Sequence, residues 1–359
     1  MSAILNFFDT YVLQALVDEI VPQASFFKDR YFPTGENDIF AADKVLTEYR
    51  KGDRKMACFV ADRVGDIPVE RRGYAIHEYE PAYIAPSRVL TLDELKKRGF
   101  GEALYANSKP AERAAKIQIQ DLADLEARIA RREEWMAAQV MINNACTIQE
   151  YIDASTVGNE RYIHFYDTDT SEHKYIVANA WNAENGNFFG DVKAMCRMLS
   201  KRGLKAADLV LGTDVADGVM ELEKVQRLLD RNSGIIIGHI DQELSKYDGV
   251  VYMGTLNFGG FKLNLISVDE TYIDENDREQ KYFPATSAMV TAPGCGRMMY
   301  AQISQIDFGS SDYSTHVGKR VAKLTVDQGK DIRTLRLGAK PLAAPNNFCP
   351  YIYAENVVR

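Results

Sequence analysis

Residues 108–143 read SKPAERAAKIQIQDLADLEARIARREEWMAAQVMIN, and after Pro110 they contain neither glycine nor proline. Ser108 is a favourable N-cap, and proline is well tolerated near the first helical position, where its missing N–H costs no hydrogen bond. The apolar residues recur at spacings of three, four and seven, with charged residues in the gaps: Ile119, Leu122, Leu125, Ile129, Met136 and Val140. The pattern predicts a helix over residues 111–143, about 50 Å long, whose apolar face packs in the core.

The region before this helix, residues 51–91, has the character of a long two-stranded projection. Extended runs are predicted over 56–61 and 72–79, and Pro81 and Pro86 then fix the return of the chain. An arm of about fifteen to eighteen residues would reach roughly 50–60 Å. Because a lone hairpin of that length is not stable in water, we expect it to lie on a neighbouring copy.

Residues 1–50 form an aromatic-rich N-terminal arm, with a helical stripe from Leu5 to Val21. Such an arm packs either on its own core or on another chain, and the sequence does not distinguish the two. Beyond the long helix, the apolar periodicity predicts two more helices, over 191–202 and 215–229, and strands over 209–211, 321–326, 332–337 and 351–353.

The composition is that of an ordinary globular protein, with 359 residues, 46% hydrophobic and 26% charged. No apolar run reaches the roughly 18 residues of a membrane-spanning helix, and the N-terminus lacks the basic start of a secretory signal. The net charge of −8 argues against a protein that grips nucleic acid, although an acidic wall could enclose it without adhering to it. The scattered cysteines predict free thiols rather than a metal site: Cys58, Cys146, Cys196, Cys295 and Cys349.

No motif for catalysis, nucleotide binding or metal binding occurs in the sequence. His77 and His164 lie near acidic residues but are better interpreted as surface histidines. The acidic run 269–277 does not match a calcium-binding loop and is interpreted as a solvated turn. The sequence therefore predicts no catalytic residue, no cofactor and no metal.

The candidate functional surface lies on the projection. Arg71 and Arg72, with Tyr74 nearby, could stack on nucleic acid. Adjacent arginines on a projecting loop more often pair with carboxylates of a protein neighbour. Together with the proline-flanked return they make up a candidate subunit interface: Arg71, Arg72, Tyr74, Pro81, Tyr83 and Pro86.

Four segments resemble a known family, and they occur in that family's order. They are FFKDRYFPT at 26–34, PAYIAP at 81–86, the stretch 272–290 with KYFP at 281–284, and the final Pro-Leu strand pair at 341–353. The segments, and the order of arm, projection, long helix, mixed region and returning strands, resemble the major capsid proteins of tailed bacteriophages. The resemblance is closest to the lambda-type major capsid protein family.

This resemblance implies an α+β, Hong Kong 97-like capsid fold. Its parts would be an N-terminal arm (1–50), an extended β-hairpin loop (51–91), a peripheral domain (92–180 and 311–359) containing a spine helix (111–143), and an axial domain (181–310).

The same resemblance implies a structural protein that is not an enzyme. It would self-assemble through hexamers and pentamers into the icosahedral head shell around a double-stranded DNA genome of a phage or prophage, without sequence-specific DNA binding. The projection begins near Lys51, which leaves no room for a domain-sized scaffolding segment before it, so a separate scaffolding protein is expected. A portal protein is another expected partner, a decoration protein is left open, and no membrane is involved. The protein would be located in the virion, and in the host cytoplasm during assembly.

Two alternatives differ in class. One is a shell protein of a bacterial cargo compartment with the same fold, and the other is a soluble enzyme. A neighbouring terminase or portal gene would favour the phage, a cargo enzyme gene would favour the compartment, and a small oligomer with a polar pocket would favour the enzyme.

Overall fold

The helix predicted over 111–143 runs from Pro110 to Asn143 in the computed structural model, which confirms its position and length. The structure describes residues 20, 24–49, 75–91, 110–152, 156–166, 171–226, 246–307 and 310–358. We call the long helix the spine helix, because strands from several distant parts of the chain pack against it.

The helices are α1 (Phe26–Tyr31), α2, the spine helix (Pro110–Asn143), α3 (Phe188–Lys201) and α4 (Thr213–Met220). The strands are β1 (Val45–Tyr49), β2 (Ala75–Tyr79), β3 (Ser87–Thr91), β4 (Ala145–Tyr151), β5 (Val157–His164), β6 (Lys174–Tyr175), β7 (Asp208–Gly212), β8 (Val250–Phe258), β9 (Phe261–Val268), β10 (Thr271–Ile273), β11 (Glu279–Lys281), β12 (Ala288–Thr291), β13 (Gly296–Tyr300), β14 (Ile303–Ile306), β15 (Tyr313–His316), β16 (Val321–Asp327), β17 (Ile332–Gly338), β18 (Pro341–Pro345) and β19 (Ile352–Ala354).

The largest sheet has six strands in the order β6-β19-β12-β7-β9-β8. Strands β7 and β9 are parallel, as are β6 and β19, and the other neighbours are antiparallel. A second sheet has three antiparallel strands in the order β16-β17-β3. The remaining described strands form antiparallel pairs: β1–β2, β4–β5, β10–β11, β13–β18 and β14–β15.

The six-stranded sheet is buried on both faces, as the apolar run of β7 requires. Successive residues of a strand point to opposite faces, so Val210 joins the cluster that contains α1 and the second half of the spine helix, while Leu209 and Leu211 join the cluster around α3 and α4. The sheet is therefore the middle layer of three.

The first half of the spine helix packs on the three-stranded sheet. Leu122, Leu125 and Ile129 form a buried cluster with leucines of β16 and β17. Met136 and Val140 continue the same helix face into the larger cluster that contains α1. The predicted stripe is thus buried except at Ile119, which is 44% exposed and lies outside these clusters.

Most of the other predicted elements are confirmed. Helix α3 corresponds to the helix predicted over 191–202, and β7, β16, β17 and β19 correspond to the four predicted strands. The helix predicted over 215–229 is interrupted: α4 ends at Met220, residues 223–226 are helical again, and 227–229 lie outside the described residues. The chain turns there because Leu222 donates its N–H to the carbonyl of Val219, and Val225 then packs back into the cluster that holds α4.

The described part of the projection begins at residue 75. Strand β2 coincides with the end of the extended run predicted over 72–79, and its partner is β1, from the segment predicted as the arm. The run predicted over 56–61, and the stripe from Leu5 to Val21 apart from Ile20, lie outside the described residues. Strand β19, from the segment predicted for the peripheral domain, lies beside β12 in the six-stranded sheet. The division into peripheral and axial domains stays a prediction.

None of the helices in the described part of the chain is long and apolar enough to cross a membrane.

Candidate subunit interface

Three of the predicted interface residues lie in the connection between β2 and β3. Pro81 is buried, Pro86 is partly buried, and Tyr83 is 41% exposed. The other three, Arg71, Arg72 and Tyr74, lie outside the described residues, so their pairing with a neighbour stays a prediction.

Backbone hydrogen bonds fix this connection on the body of the protein. Ile84 donates its N–H to the carbonyl of Ala339 at 2.8 Å, and Ala339 donates in return to Ile84 at 2.9 Å. Leu337 donates to the carbonyl of Pro86 at 3.1 Å. The prolines restrict the backbone and lack an N–H, so the non-proline Ile84 supplies the donor between them. The root of the projection is therefore held rigidly against the end of β17.

Tyr83 lies across the exposed face of the three-stranded sheet. A Cβ built on Gly338 would come within 2.7 Å of the Tyr83 hydroxyl, so any larger residue here would displace the ring. The Arg336 guanidinium lies 5.8 Å from the ring centroid. Burial raises the pKa of Tyr83, while the charge of Arg336 opposes that rise. A half-exposed tyrosine beside an arginine has the composition typical of protein interfaces.

A cavity of about 640 Å³ separates this connection from the spine helix and the β4–β5 hairpin. Its apolar lining includes Trp135, and Arg132 stacks on that ring at 5.0 Å while pairing with Glu275. On the hairpin side, Arg161 pairs with Glu150 at 2.7 Å. The cavity thus has an apolar floor, and the arginines in its walls are paired with glutamates.

The β4–β5 hairpin exposes large apolar side chains along its length. They are Tyr151, Ile152, Val157 and Tyr162, of which Ile152 is 77% exposed. Grouped exposed apolar residues are typical of surfaces that contact another protein. Sequence patterns did not single them out, although four large apolar residues within positions 151–162 were a usable signal.

A buried ionic cluster ties the spine helix to other parts of the chain, and we call it the Arg320 cluster. Arg320, just before β16, donates to Glu126 at 2.5 and 2.9 Å and to Glu133 at 2.6 and 3.0 Å. Lys28 of α1 also contacts Glu133, at 2.7 Å. Burial acts to raise the pKa of Glu133, but the charges of Arg320 and Lys28 outweigh it and hold that pKa below its ordinary value. The cluster joins α1, α2 and β16.

Glu134, the next residue of the spine helix, holds the start of α1. Its carboxylate accepts the backbone N–H groups of Phe27 at 2.6 Å and Lys28 at 2.8 Å. These are donors that a helix cannot satisfy internally. Burial raises the pKa of Glu134 to about 8, although the two N–H groups partly offset that effect.

The other end of α1 is fixed to the six-stranded sheet by Asp208. This buried carboxylate accepts Arg30 Nε at 2.7 Å and Nη2 at 2.9 Å, the Tyr31 hydroxyl at 3.1 Å, and Asn264 Nδ2 at 2.9 Å. Together with the buried rings of Phe26 and Phe27, these contacts show that this part of the aromatic arm packs on its own core.

The described residues bring together no group of three or more His, Cys, Asp or Glu that could hold a metal ion. In the acidic run 269–277, the Asp274 carboxylate accepts the backbone N–H groups of Asn276 and Arg278, which makes that segment a turn, as predicted. Cys146, Cys196 and Cys295 are buried free thiols, in agreement with the prediction, and Cys58 lies outside the described residues.

Comparisons with known proteins agree with these features. The chain is similar to a prophage capsid protein of E. coli CFT073, at 14% identity and a TM-score of 0.67 over 97% of this chain and 98% of that one. It is similar to a phage-related protein of Bordetella bronchiseptica RB50, at 10% identity and a TM-score of 0.54 over 97% of both chains. A likeness to the SrpI encapsulin of Synechococcus elongatus PCC 7942, at 11% identity over 95% of this chain and 90% of that one, has a TM-score of 0.41 and is too weak to support the cargo-compartment alternative.

No curated protein matches the chain. The structural likenesses confirm the expected α+β, Hong Kong 97-like fold. The model of the family named phage major capsid protein E matches residues 9–349, almost the whole length of the sequence. The chain therefore belongs to the phage major capsid protein E family, a family of shell-forming capsid proteins.

Proposed function

We propose that this protein assembles through hexamers and pentamers into the icosahedral head shell that encloses a double-stranded phage genome. The observation that carries the proposal is the family match over residues 9–349. The geometry supports it, because the root of the projection is fixed by the Ile84–Ala339 hydrogen bonds and exposes Tyr83 beside it. The protein would act in the virion and occupy the host cytoplasm during assembly.

The proposed function is mechanical rather than catalytic. Each copy would contact several neighbours through interfaces of about 1,600 Å² or less. No single contact needs to be strong, because ring and shell closure makes later contacts effectively intramolecular. Weak contacts also allow misplaced subunits to dissociate. A separate scaffolding protein and a portal protein would direct assembly.

DNA would be enclosed without sequence-specific binding. The net charge of −8 argues against the concentrated basic surface that phosphate binding requires. An acidic inner wall would keep packed DNA from adhering to it.

Electron microscopy of the purified chain, alone and with its scaffolding protein, tests the proposal. We expect rings, shells or tubes. A monodisperse monomer or dimer at high concentration, with scaffold present, would contradict it.

A second experiment tests the predicted part of the interface on the projection. Reversing the charge of Arg71 and Arg72 together should leave folding intact and weaken assembly by about 1–5 kcal/mol per copy, because each arginine would lose a carboxylate partner. Trypsin should cut after these arginines more slowly in shells than in free subunits. If the double variant assembles normally, and trypsin cuts shells as fast as free subunits, the projection is not part of the interface.

A further inference from the structure

Two cations face each other on the exposed side of the three-stranded sheet. Lys323 of β16 and Arg336 of β17 are direct partners in the antiparallel register. Like charges directly opposite each other on neighbouring strands destabilise a sheet. Burial, and then the charge of Arg336, lower the pKa of Lys323 below its ordinary value. The pair is therefore unfavourable within the subunit.

The groups around this pair compensate its charge only in part. Arg336 Nη2 donates to Gln305 Oε1 at 3.1 Å, and Gln305 Nε2 donates to Asp307 Oδ1 at 3.0 Å. Asp307 also contacts His316 Nε2 at 3.0 Å. The Asp307 carboxylate, which already contacts Gln305 and His316, is thus the one carboxylate among the described residues that lies beside the two cations Lys323 and Arg336.

Within the described part of the chain, neither Lys323 nor Arg336 forms an ion pair. The Nε atom of Arg336 is buried and has no hydrogen-bond partner there. A buried donor left unsatisfied is costly, and the cost is larger for a charged group. The site therefore has an excess of positive charge, and an anion at its open side would balance that charge.

We propose that Lys323 and Arg336, beside Tyr83, bind a carboxylate side chain of a neighbouring copy of this chain. The inference rests on the shell-forming function proposed above. Charge complementarity favours this occupant, because the chain carries 51 acidic against 43 basic residues, so a second copy brings an excess of carboxylates. A carboxylate at the open side of the pair would contact the Lys323 amine and the Arg336 guanidinium, cancel the repulsion between the two cations, and contact the half-exposed Tyr83 ring.

The proposal predicts effects of opposite sign on folding and on assembly. Lys323→Gln removes the repulsion, so the melting temperature of free subunits should stay equal or rise. The same variant removes half of the binding site, so the protein concentration for half-maximal assembly should rise about tenfold or more. If Lys323 instead formed an ion pair within its own subunit, Lys323→Gln should lower the melting temperature of free subunits and also weaken assembly. Lys330→Gln, a 74%-exposed lysine in the turn after β16, is the matched control and should change neither.

Zero-length cross-linking identifies the carboxylate. Unlabelled and ¹⁵N-labelled copies are mixed, assembled, and treated with a carbodiimide, which joins a lysine amine to a carboxylate in direct contact. We expect Lys323 to be joined to an Asp or Glu of the other isotope, with the yield reduced at least about threefold in Arg336→Gln and unchanged in Lys330→Gln.

Three results would overturn the inference. The first is cross-linking of Lys323 only within its own chain, and the second is no cross-link at Lys323 in particles that form normally. The third is binding of duplex DNA that is lost in Lys323→Gln, since it would assign the cations to phosphate. Micrographs of the same samples test the proposed function separately. Particles that form without the cross-link between copies contradict only the inference about Lys323. Absence of particles refutes the shell, while an intercopy Lys323 cross-link in small oligomers would still support the contact.

Discussion

Arg320 and Lys323 lie three residues apart in the chain, yet their surroundings are opposite. Arg320 is buried and contacts two carboxylates, those of Glu126 and Glu133, and Lys28 also contacts Glu133. Lys323 is partly exposed and faces a second cation across the sheet. The difference suggests a rule for this molecule: charge is balanced within the subunit where a side chain is enclosed, and is left unbalanced where a face is open to a partner.

The largest effect is expected when Arg320, the cation with carboxylate partners, is removed. Arg320→Met would leave Glu126 and Glu133 buried without their main cation and should lower the free energy of unfolding by about 3–5 kcal/mol. Urea unfolding of free subunits measures the change, with Lys330→Met as an exposed control. A loss below about 1 kcal/mol would show that the cluster is solvated and would remove the contrast with Lys323.

The next effect concerns Glu134, which is enclosed but held by backbone N–H groups. Because burial raises its folded-state pKa to about 8, well above the ordinary value, its contribution to stability is fully present below about pH 4.5 and is lost as pH rises through 8. Glu270, whose pKa burial raises to about 7, acts in the same direction. Between pH 5 and 8 the wild type should lose on the order of 3 kcal/mol more than Glu134→Gln.

The free energy of unfolding of wild type and Glu134→Gln, measured between pH 5 and 8, tests this prediction. Glu184→Gln, at an exposed position, is the control. Equal pH slopes for wild type and Glu134→Gln would mean that the two N–H donors alone hold the carboxylate ionised. Glu134 would then be a buried charge that is balanced within the subunit, as in the Arg320 cluster.

A smaller effect is expected at the contact between Gly338 and Tyr83, next to the Lys323–Arg336 pair. Gly338→Ala would displace the Tyr83 ring and should cost about 1 kcal/mol of stability. In a Tyr83→Ala background the same change should cost almost nothing, because the two residues share one contact. Additive losses in the double variant would show that Tyr83 does not depend on Gly338.

The smallest effect is expected at Lys323, where Lys323→Gln should raise the unfolding free energy of free subunits by about 0.5 kcal/mol or less. Calorimetry of subunits kept below their assembly concentration measures it. A clear decrease would mean that Lys323 has a partner within its own chain, and the rule drawn from Arg320 would not extend to the exposed face.

Local patterns in the sequence were enough to predict the spine helix, α3 and four strands, because apolar periodicity and capping residues act over a few positions. They could not predict that Glu126 and Glu133 are buried, since Arg320 follows them by 194 and 187 residues. Charged residues in the gaps of an apolar stripe have the pattern of a solvated face until a distant cation is placed beside them. For the same reason the sequence indicated Tyr83 but not the Lys323–Arg336 pair, whose proximity is set by strand register.

Helix α1 has six residues, yet it is joined at its start to the spine helix by Glu134 and at its end to the six-stranded sheet by Asp208. Two attachments so close together make it a mechanical junction: a pull on the chain ahead of Phe26 would be divided between both bodies instead of peeling one away. If subunits in a shell exert force on one another through this segment, the load would be shared by the whole subunit, and failure would require both carboxylate attachments to break together.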